Sequence, residues 1–413
     1  MSEQTAPGDA PAPGDAPAPG LPDAPSPSGP PPGPAATPAP AAPAGSQAPA
    51  DSAPAAPANA APAGSQAAPA GSQAPRTLGA SSQLRRCLLA LAVLTALVAV
   101  AAVCSIAFGS RTVGLGEIIG GLTGSRSDIG ALAVSERVPR TAVALAAGAA
   151  LGVSGALMQA VTRNPIADPG ILGVNTGASL AILVGVAFVG ISSAGQYLWF
   201  ALAGAVVTAV FVYGVGSLGP GGPTPVKLAL AGVATSAALS CVISAVMLPR
   251  AQGLDDYRFW QVGSLGRGTW DSLTTIAPFL VVAAVLAVLV ASPLNSLALG
   301  EEMAIGLGVN VTLTRVAAAG AGVLLCSAVT AIAGPIGFVG LMVPHTVRML
   351  CGSDHRWLLP LSALCGSGLL TLSDVLGRVV SRPSAALPVG VVTAFVGAPI
   401  LIMIARGAKV REL

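Results

Sequence analysis

Residues 137–177 read RVPRTAVALAAGAALGVSGALMQAVTRNPIADPGILGVNTG, and this stretch decides the fold. Pro139 suits the first position of a helix, because the N–H that proline lacks would have no partner there. Residues 141–161 carry no charge, and Arg163-Asn164-Pro165 follows them. Pro165 restricts the residue before it, which favours a helix end at this point. The interval 139–162 is about 24 residues, or roughly 36 Å at 1.5 Å per residue. The stretch therefore predicts one membrane-spanning helix.

The charged residues around this helix mark its two ends. Arg137 and Arg140 flank its start, whereas Arg163 and Asp168 follow its end, so the two pairs belong on opposite sides of the membrane. Glycines at close spacing within the span are typical of tight packing between transmembrane helices. Gln159 is the one amide in the span, and the sequence leaves its role open.

The composition places the chain in a membrane. Of its 413 residues, 53% are hydrophobic and 9% are charged, whereas soluble domains carry about 25% charged residues. Long uninterrupted apolar runs exclude the alternating pattern of a β-barrel, so the spans must be helices. We predict an all-α polytopic membrane protein. The six cysteines form no C-x-x-C pair and mostly fall in or beside apolar runs, which predicts neither a disulfide framework nor a metal or cofactor site.

The first 80 residues differ from the rest. Residues 1–80 are rich in Pro, Ala, Gly and Ser and repeat segments such as APAGSQA. Such a segment cannot bury enough apolar surface to fold, so we predict a disordered tail followed by a transmembrane domain at 85–413. The tail lacks the basic and apolar regions of a signal peptide. Arg85 and Arg86 precede the first apolar run and place the tail in the cytoplasm.

Ten apolar runs predict about ten transmembrane helices with both termini in the cytoplasm. The predicted spans are 87–108, 139–162, 172–191, 197–218, 228–248, 274–297, 311–333, 337–350, 358–380 and 387–404. This layout leaves about eleven basic residues inside and nine outside, which is a weak bias. Either the topology is wrong or the outer arginines are kept for a purpose.

The sequence carries no nucleotide site of its own. A phosphate-binding loop needs a Gly-Lys-Ser/Thr sequence, but the two lysines, Lys227 and Lys409, follow valine and alanine. Any ATP drive must therefore come from another subunit. No Ser/His/Asp constellation and no pair of acid/base carboxylates is found, so we do not predict an enzyme. His345 has no carboxylate or second histidine nearby, and packing or hydrogen bonding is the favoured role over a proton relay.

The loop 300–310, GEEMAIGLGVN, is the strongly acidic loop of the cytoplasmic side in this layout. Glu301 and Glu302 open a short helical segment, where negative charge suits the positive end of a helix. Ala304 and Leu307 are three residues apart, which favours one helical face, and Gly308 can cap the end. Such a helix could dock in a groove of a partner, or the loop could be a solvated connector.

The segment SDVLGR places Asp374 and Arg378 four residues apart, on one face of a helix near the outer end of the ninth span. Charges at membrane depth are costly and usually paired. One interpretation is an internal ion pair. The other is that Arg378 joins Arg137 and Arg140 in an outward basic patch that receives an acidic partner.

Taken together, these segments resemble the FecCD-type permease subunits of ATP-binding-cassette importers for iron-siderophores and vitamin B12. The matching segments occur in the family's order and cover essentially everything after Arg85. They are RVPR, GAALGVSGALMQ, RNPIADPGILGVNTGA, GEEMAIGLGVN, GPIGFVGLMVPHTVR, SDVLGR and LPVGVVTAFVGAPI.

The resemblance implies a multi-pass permease of the cell membrane that pairs with a second copy or a paralogue. It implies two cytoplasmic ATPase subunits docked on the loop that contains Gly300, and an extracellular binding protein or lipoprotein that delivers the ligand. In the family, acidic residues of the binding protein meet permease arginines, and these map here onto Arg137, Arg140 and Arg378. This would account for the weak charge bias.

The resemblance also implies alternating access that carries an iron(III)-siderophore inward. Because the chelator already coordinates the iron, the permease needs no metal ligands of its own. Vitamin B12 and haem are alternative substrates that the sequence leaves open. From a different class, an ion-coupled secondary transporter would need intramembrane carboxylates, and only Asp374 qualifies.

Overall fold

A computed structural model describes residues 80–409, except 110, 126–127, 166, 220–223, 251–254 and 382–385. The predicted tail therefore lies outside the described residues, apart from its last position. The described part forms thirteen α-helices: α1 Ala80–Ala107, α2 Leu115–Thr123, α3 Ile129–Thr162, α4 Val174–Val184, α5 Ala194–Gly216, α6 Pro225–Met247, α7 Asp255–Gln261, α8 Trp270–Ala298, α9 Glu301–Gly306, α10 Val311–Ala333, α11 Val339–Cys351, α12 His355–Val380 and α13 Val389–Lys409.

The apolar helices agree with the predicted spans. Within the described residues, seven helices are long and apolar enough to cross a bilayer, namely α1, α3, α5, α6, α8, α10 and α12. Three shorter apolar segments lie at Val174–Val189, Val339–Cys351 and Val389–Met403. Each of the ten overlaps one of the ten predicted runs, and the prediction of an all-α membrane protein is confirmed.

The start of α3 differs from the prediction. This helix has 34 residues, or about 51 Å, and it begins at Ile129 because the Asp128 side chain accepts a hydrogen bond from the Ala131 N–H at 3.2 Å. The prediction that Pro139 begins the helix is wrong, since α3 continues through it. Neighbouring helices and polar side chains let transmembrane helices accommodate proline in this way. The predicted end is confirmed at Thr162.

Helix α3 forms the centre of the bundle and packs against α1, α8, α10, α11 and α12. Its glycines allow this packing. A β-carbon at Gly148 would overlap the Gly366 carbonyl of α12, and one at Gly155 would overlap the Gly340 carbonyl of α11. The close packing predicted from the glycine spacing is therefore confirmed, and the backbones approach each other where a side chain would separate them.

We expect Gly155→Ala to destabilise the protein by about 1–3 kcal/mol, because the added methyl forces α3 and α11 apart. Gly320→Ala on α10 is the matched control, since a β-carbon there meets no heavy atom within 4 Å. Thermal unfolding of both variants in detergent measures the difference. Equal melting temperatures would contradict the packing argument.

Candidate functional site

A buried cluster of charges joins α3 to α12 near the start of α3. Arg140 donates two hydrogen bonds to the Asp374 carboxylate, from Nη2 to Oδ1 at 2.6 Å and from Nε to Oδ2 at 3.0 Å. Arg378 lies one helical turn after Asp374, and its Nε lies 3.0 Å from Oδ2. Asp374 is 1% exposed. Two guanidinium groups thus share one buried carboxylate, which compensates the cost of burying it.

Two arginines also cap the C-terminal end of α1. Arg137 Nη1 donates to the carbonyls of Ile106 and Ala107, at 3.0 and 3.3 Å. Arg378 Nη1 donates to the carbonyls of Ser105 and Phe108, at 3.0 and 3.2 Å. The last carbonyls of a helix lack partners within that helix, and cations suit its negative end. The arginines therefore hold the end of α1 against α3 and α12.

The three arginines predicted as one patch do come together in this cluster, but they differ in exposure. Arg137 is 8% exposed and Arg378 is 6% exposed, and both guanidinium groups bond within the protein. The Arg140 side chain is 18% exposed and is the most accessible of the three. The internal ion pair that was one interpretation of Asp374 and Arg378 is present. Docking of an acidic partner stays a prediction, and it rests mainly on Arg140.

The second candidate site is the short helix α9, beyond the other end of α3. About 23 residues of helix separate Arg140 from Arg163, or roughly 35 Å, so the two sites lie at opposite ends of the bundle. Gly300 precedes α9 at φ 115°, which suits glycine. Gly308 follows it at φ 79° and donates its N–H to the Ile305 carbonyl at 2.9 Å. The predicted cap at Gly308 is confirmed.

The predicted apolar face of α9 needs a correction. Ala304 is fully buried, but Leu307 is 60% exposed. The helix ends at Gly306, one residue before Leu307, so the three-residue spacing does not put both side chains on one face. The exposed apolar surface instead consists of Met303, Ile305 and Leu307, which are 59%, 64% and 60% exposed. The short helix thus presents apolar side chains outward while Ala304 anchors it.

Glu301 ties α9 to two long helices. Its Oε1 pairs with Arg315 of α10, and it lies 3.8 Å from the Arg163 guanidinium at the end of α3. The hydrogen bond and charge of Arg315 hold the pKa of Glu301 below its usual range. Arg163 also donates to the Leu297 carbonyl at the end of α8, at 3.2 Å. Glu301 therefore connects α9 to α3 and α10.

A buried carboxyl group occupies the turn between α3 and α4. Asp168 accepts the Gly170 N–H at 2.8 Å and so caps the 3-10 turn Pro169–Leu172. Burial raises the pKa of Asp168 to about 6, and the bond from Gly170 opposes this shift. A carboxyl group in this position is protonated at a higher pH than in the unfolded chain.

We expect Asp168→Asn to raise the melting temperature above pH 6 but not near pH 4. Because the folded-state pKa is raised, the stability linked to Asp168 is fully present below about pH 4 and is lost as the pH rises through about 6. Asparagine keeps the capping oxygen and never ionises, so the gain at pH 7.5 should be about 1–2 kcal/mol. Asp128→Asn, at the exposed cap of α3, is the control. An equal pH response of the two variants would overturn this assignment.

The seven long and three shorter apolar helices of the described residues define an all-α polytopic membrane protein. A model of the FecCD transport family matches residues 96–407, which is well over half of the chain. The chain therefore belongs to the FecCD transport family, as its motifs predicted.

Two named permease proteins are similar to this chain and support its membership of the family. The ferric enterobactin transport system permease protein FepD of Escherichia coli (strain K12) is 43% identical over 311 residues, which are 75% of this chain and 92% of the relative. The Fe(3+)-citrate import system permease protein YfmD of Bacillus subtilis (strain 168) is 43% identical over 273 residues, 66% of this chain and 80% of the relative.

A solved structure shares the fold. It is an inward-facing conformation of a metal-chelate type ABC transporter, with a TM-score of 0.66 and 28% sequence identity, and the match covers 79% of this chain and all of that one. The chain is thus a multi-pass membrane permease of an ABC importer, and it works with ATPase and substrate-binding subunits.

Proposed function

We propose that this permease carries an iron(III)-siderophore complex into the cytoplasm. The observation that carries the proposal is the 43% identity to a ferric enterobactin permease over 92% of that protein. A second ferric-chelate permease, for iron citrate, is equally similar over a shorter span. A chelated iron already has its ligands, so the permease has to supply only a pathway of suitable shape and polarity.

The proposed mechanism is alternating access in a dimer with a second copy or a paralogue. Two features support it. In α6, only 11% of the most apolar window is buried within the chain, so this helix has a broad surface available to a partner or to lipid. Exposed apolar residues on α9 suit an ATPase subunit, and Glu301 connects that surface to α3 and α10. Closure of the ATPase dimer would move α9 and switch the pathway.

The proposed orientation places α9 and both termini in the cytoplasm and the arginine cluster outside. In this orientation Arg140 faces the binding protein that delivers the chelate. We also propose the domain division given by the composition, with a Pro/Ala-rich cytoplasmic tail at 1–80 and a permease domain at 85–413. The family match supports this division, because it begins at residue 96.

The test is uptake of radiolabelled iron chelates into proteoliposomes that contain the full chain, its ATPase and its binding protein. We expect ATP-dependent uptake of at least one ferric siderophore. We expect that excess unlabelled cyanocobalamin or haemin does not reduce this uptake. Uptake of either of those in place of ferric chelates would overturn the substrate proposal. Uptake that persists without the ATPase would instead favour an ion-coupled secondary transporter.

Docking of the binding protein gives a further prediction. Arg140→Gln should weaken binding of the delivery protein about threefold to tenfold and make the affinity less dependent on salt, because an interfacial charge is lost. Arg111→Gln is the control, since its side chain is 56% exposed and its ion pair is with Glu117. Binding measured in nanodiscs over a salt series separates the two. Equal affinities for the wild type and Arg140→Gln would make the cluster purely structural.

A further inference from the structure

A cavity of about 490 Å³ lies beside α9. It shares Arg163 and Gly300 with the α9 site, and its other lining residues belong to neither site described above. The C-terminal ends of α3 and α8, helix α11 and the N-terminal end of α12 surround it. Gln159, Arg163, Leu297, Arg348 and His355 are among its lining residues. Its volume is within the range of small-molecule sites in proteins.

The walls of this cavity combine positive charge with an apolar side. Arg163 and Arg348 supply two guanidinium groups, and the described lining residues include no carboxylate. The nearest acids have other partners: Glu301 pairs with Arg315, and Asp354 accepts from Asn295 at 2.6 Å. Glu301 also lies 3.8 Å from Arg163 and offsets part of its charge. The cavity therefore favours an anion.

Gln159, whose role the sequence leaves open, positions one of these arginines. Its Nε2 donates to the carbonyls of Gly340 and Leu341, both at 3.2 Å. This orientation leaves its Oε1 to accept from Arg348 Nη2. The buried Gln159 amide thus fixes the Arg348 side chain. This contact takes only one of the five N–H groups that an arginine carries.

The depth of the cavity indicates the source of the anion. Three candidate membrane spans end or begin there, at Thr162, Ala298 and His355. The boundary between apolar spans and water is the level of lipid headgroups, and basic pockets between transmembrane helices bind anionic headgroups there. Leu294 and Leu297 form an apolar wall beside the arginines, which suits the region where a headgroup meets its acyl chains.

We propose that this cavity binds the phosphate group of an anionic phospholipid, with Arg348 and Arg163 as its ligands. The bound phosphate would share Arg163 with Glu301, so occupancy of the site would affect one of the two ties between α9 and the long helices. The proposal needs only that the protein spans a bilayer and does not depend on the transported substrate.

Native mass spectrometry of the purified full chain tests the proposal with phosphatidylglycerol and phosphatidylcholine as probes. We expect the protein to retain phosphatidylglycerol about tenfold more than phosphatidylcholine, since only the former carries a net negative charge. Arg348→Gln and Ala298→Phe should each reduce that ratio at least about fivefold, the first by removing charge and the second by filling the cavity. Ala298 is an exposed residue at the cavity edge, so phenylalanine is compatible with folding.

Arg86→Gln is the matched control, because it also removes one positive charge but lies on the exposed start of α1. It should leave the ratio unchanged. Wild-type retention of phosphatidylglycerol by both cavity variants, or equal loss in Arg86→Gln, would overturn the proposal. Displacement of the lipid by millimolar inorganic phosphate with no lipid preference would assign the site to free phosphate and also overturn it.

Discussion

Replacing Asp374 by asparagine is expected to produce the largest loss of stability of any single change considered for this permease. The variant leaves Arg140 and Arg378 without the carboxylate that both contact, and Arg378 is only 6% exposed. Removal of one partner from a buried ion pair typically destabilises a protein by about 3–5 kcal/mol. Thermal unfolding of the purified protein in detergent measures the effect.

The control for this prediction is Asp271→Asn, at the exposed N-terminal turn of α8. It removes the same charge without breaking an ion pair of the cluster, and we expect a change below about 1 kcal/mol. The double variant Asp374→Asn/Arg140→Gln should be less destabilised than the sum of the two single variants, because the two side chains interact directly. If Asp374→Asn unfolds at the same temperature as Asp271→Asn, the charge cluster contributes little to the stability of the protein.

Glu301→Gln is expected to uncouple ATP hydrolysis from transport. The variant loses the charge that pairs with Arg315 and attracts Arg163, so the connection of α9 to α10 and α3 is weakened. Exposed ion pairs are worth about 0–1 kcal/mol each, so the ATP consumed per chelate transported should rise about twofold to fivefold. The measurement is the ratio of ATPase activity to uptake in proteoliposomes containing the complete importer.

Glu302→Gln distinguishes coupling from docking. Glu302 is the adjacent acid on α9, it is exposed, and it lies outside the Glu301 ion pairs. If α9 docks through its charge alone, both variants should lose the ATPase subunit to the same degree during purification. We expect both to retain it and only Glu301→Gln to change the ratio. Unchanged coupling in Glu301→Gln would remove α9 as the element that transmits the movement.

Much of the fold was predictable from local sequence because a bilayer imposes strong rules on each segment. Each of the ten apolar runs overlaps an apolar helix. Helix α3 ends at Thr162, just before Asn164, whose helical conformation Pro165 disfavours. The start of α3 was not predictable in the same way. Proline can occupy the first turn of a transmembrane helix or its interior. Packing of the neighbouring helices around α3 stabilises Pro139 in the helix interior.

The charge cluster shows why site prediction from sequence stops where it does. Asp374 and Arg378 lie four residues apart, and helix geometry alone brings them together. Arg140 lies 234 positions from Asp374 in the chain, so no spacing rule connects them. A carboxylate at membrane depth signalled that a partner was needed, and the sequence offered several arginines. Packing of α3 against α12 selected Arg140.

The sequence by itself determined that this chain is an all-α membrane permease of the FecCD family, because length, apolarity and motif order are properties of single segments. Tertiary structure alone decided how the three predicted arginines are used. Arg137 and Arg378 are buried against the end of α1, and Arg140 pairs with Asp374 of α12. The tertiary structure also places Gln159 beside Arg348. It brings Glu301 to its two cationic partners, Arg163 and Arg315. These contacts join helices far apart in the chain, and only the packing of the bundle brings such groups within hydrogen-bonding distance.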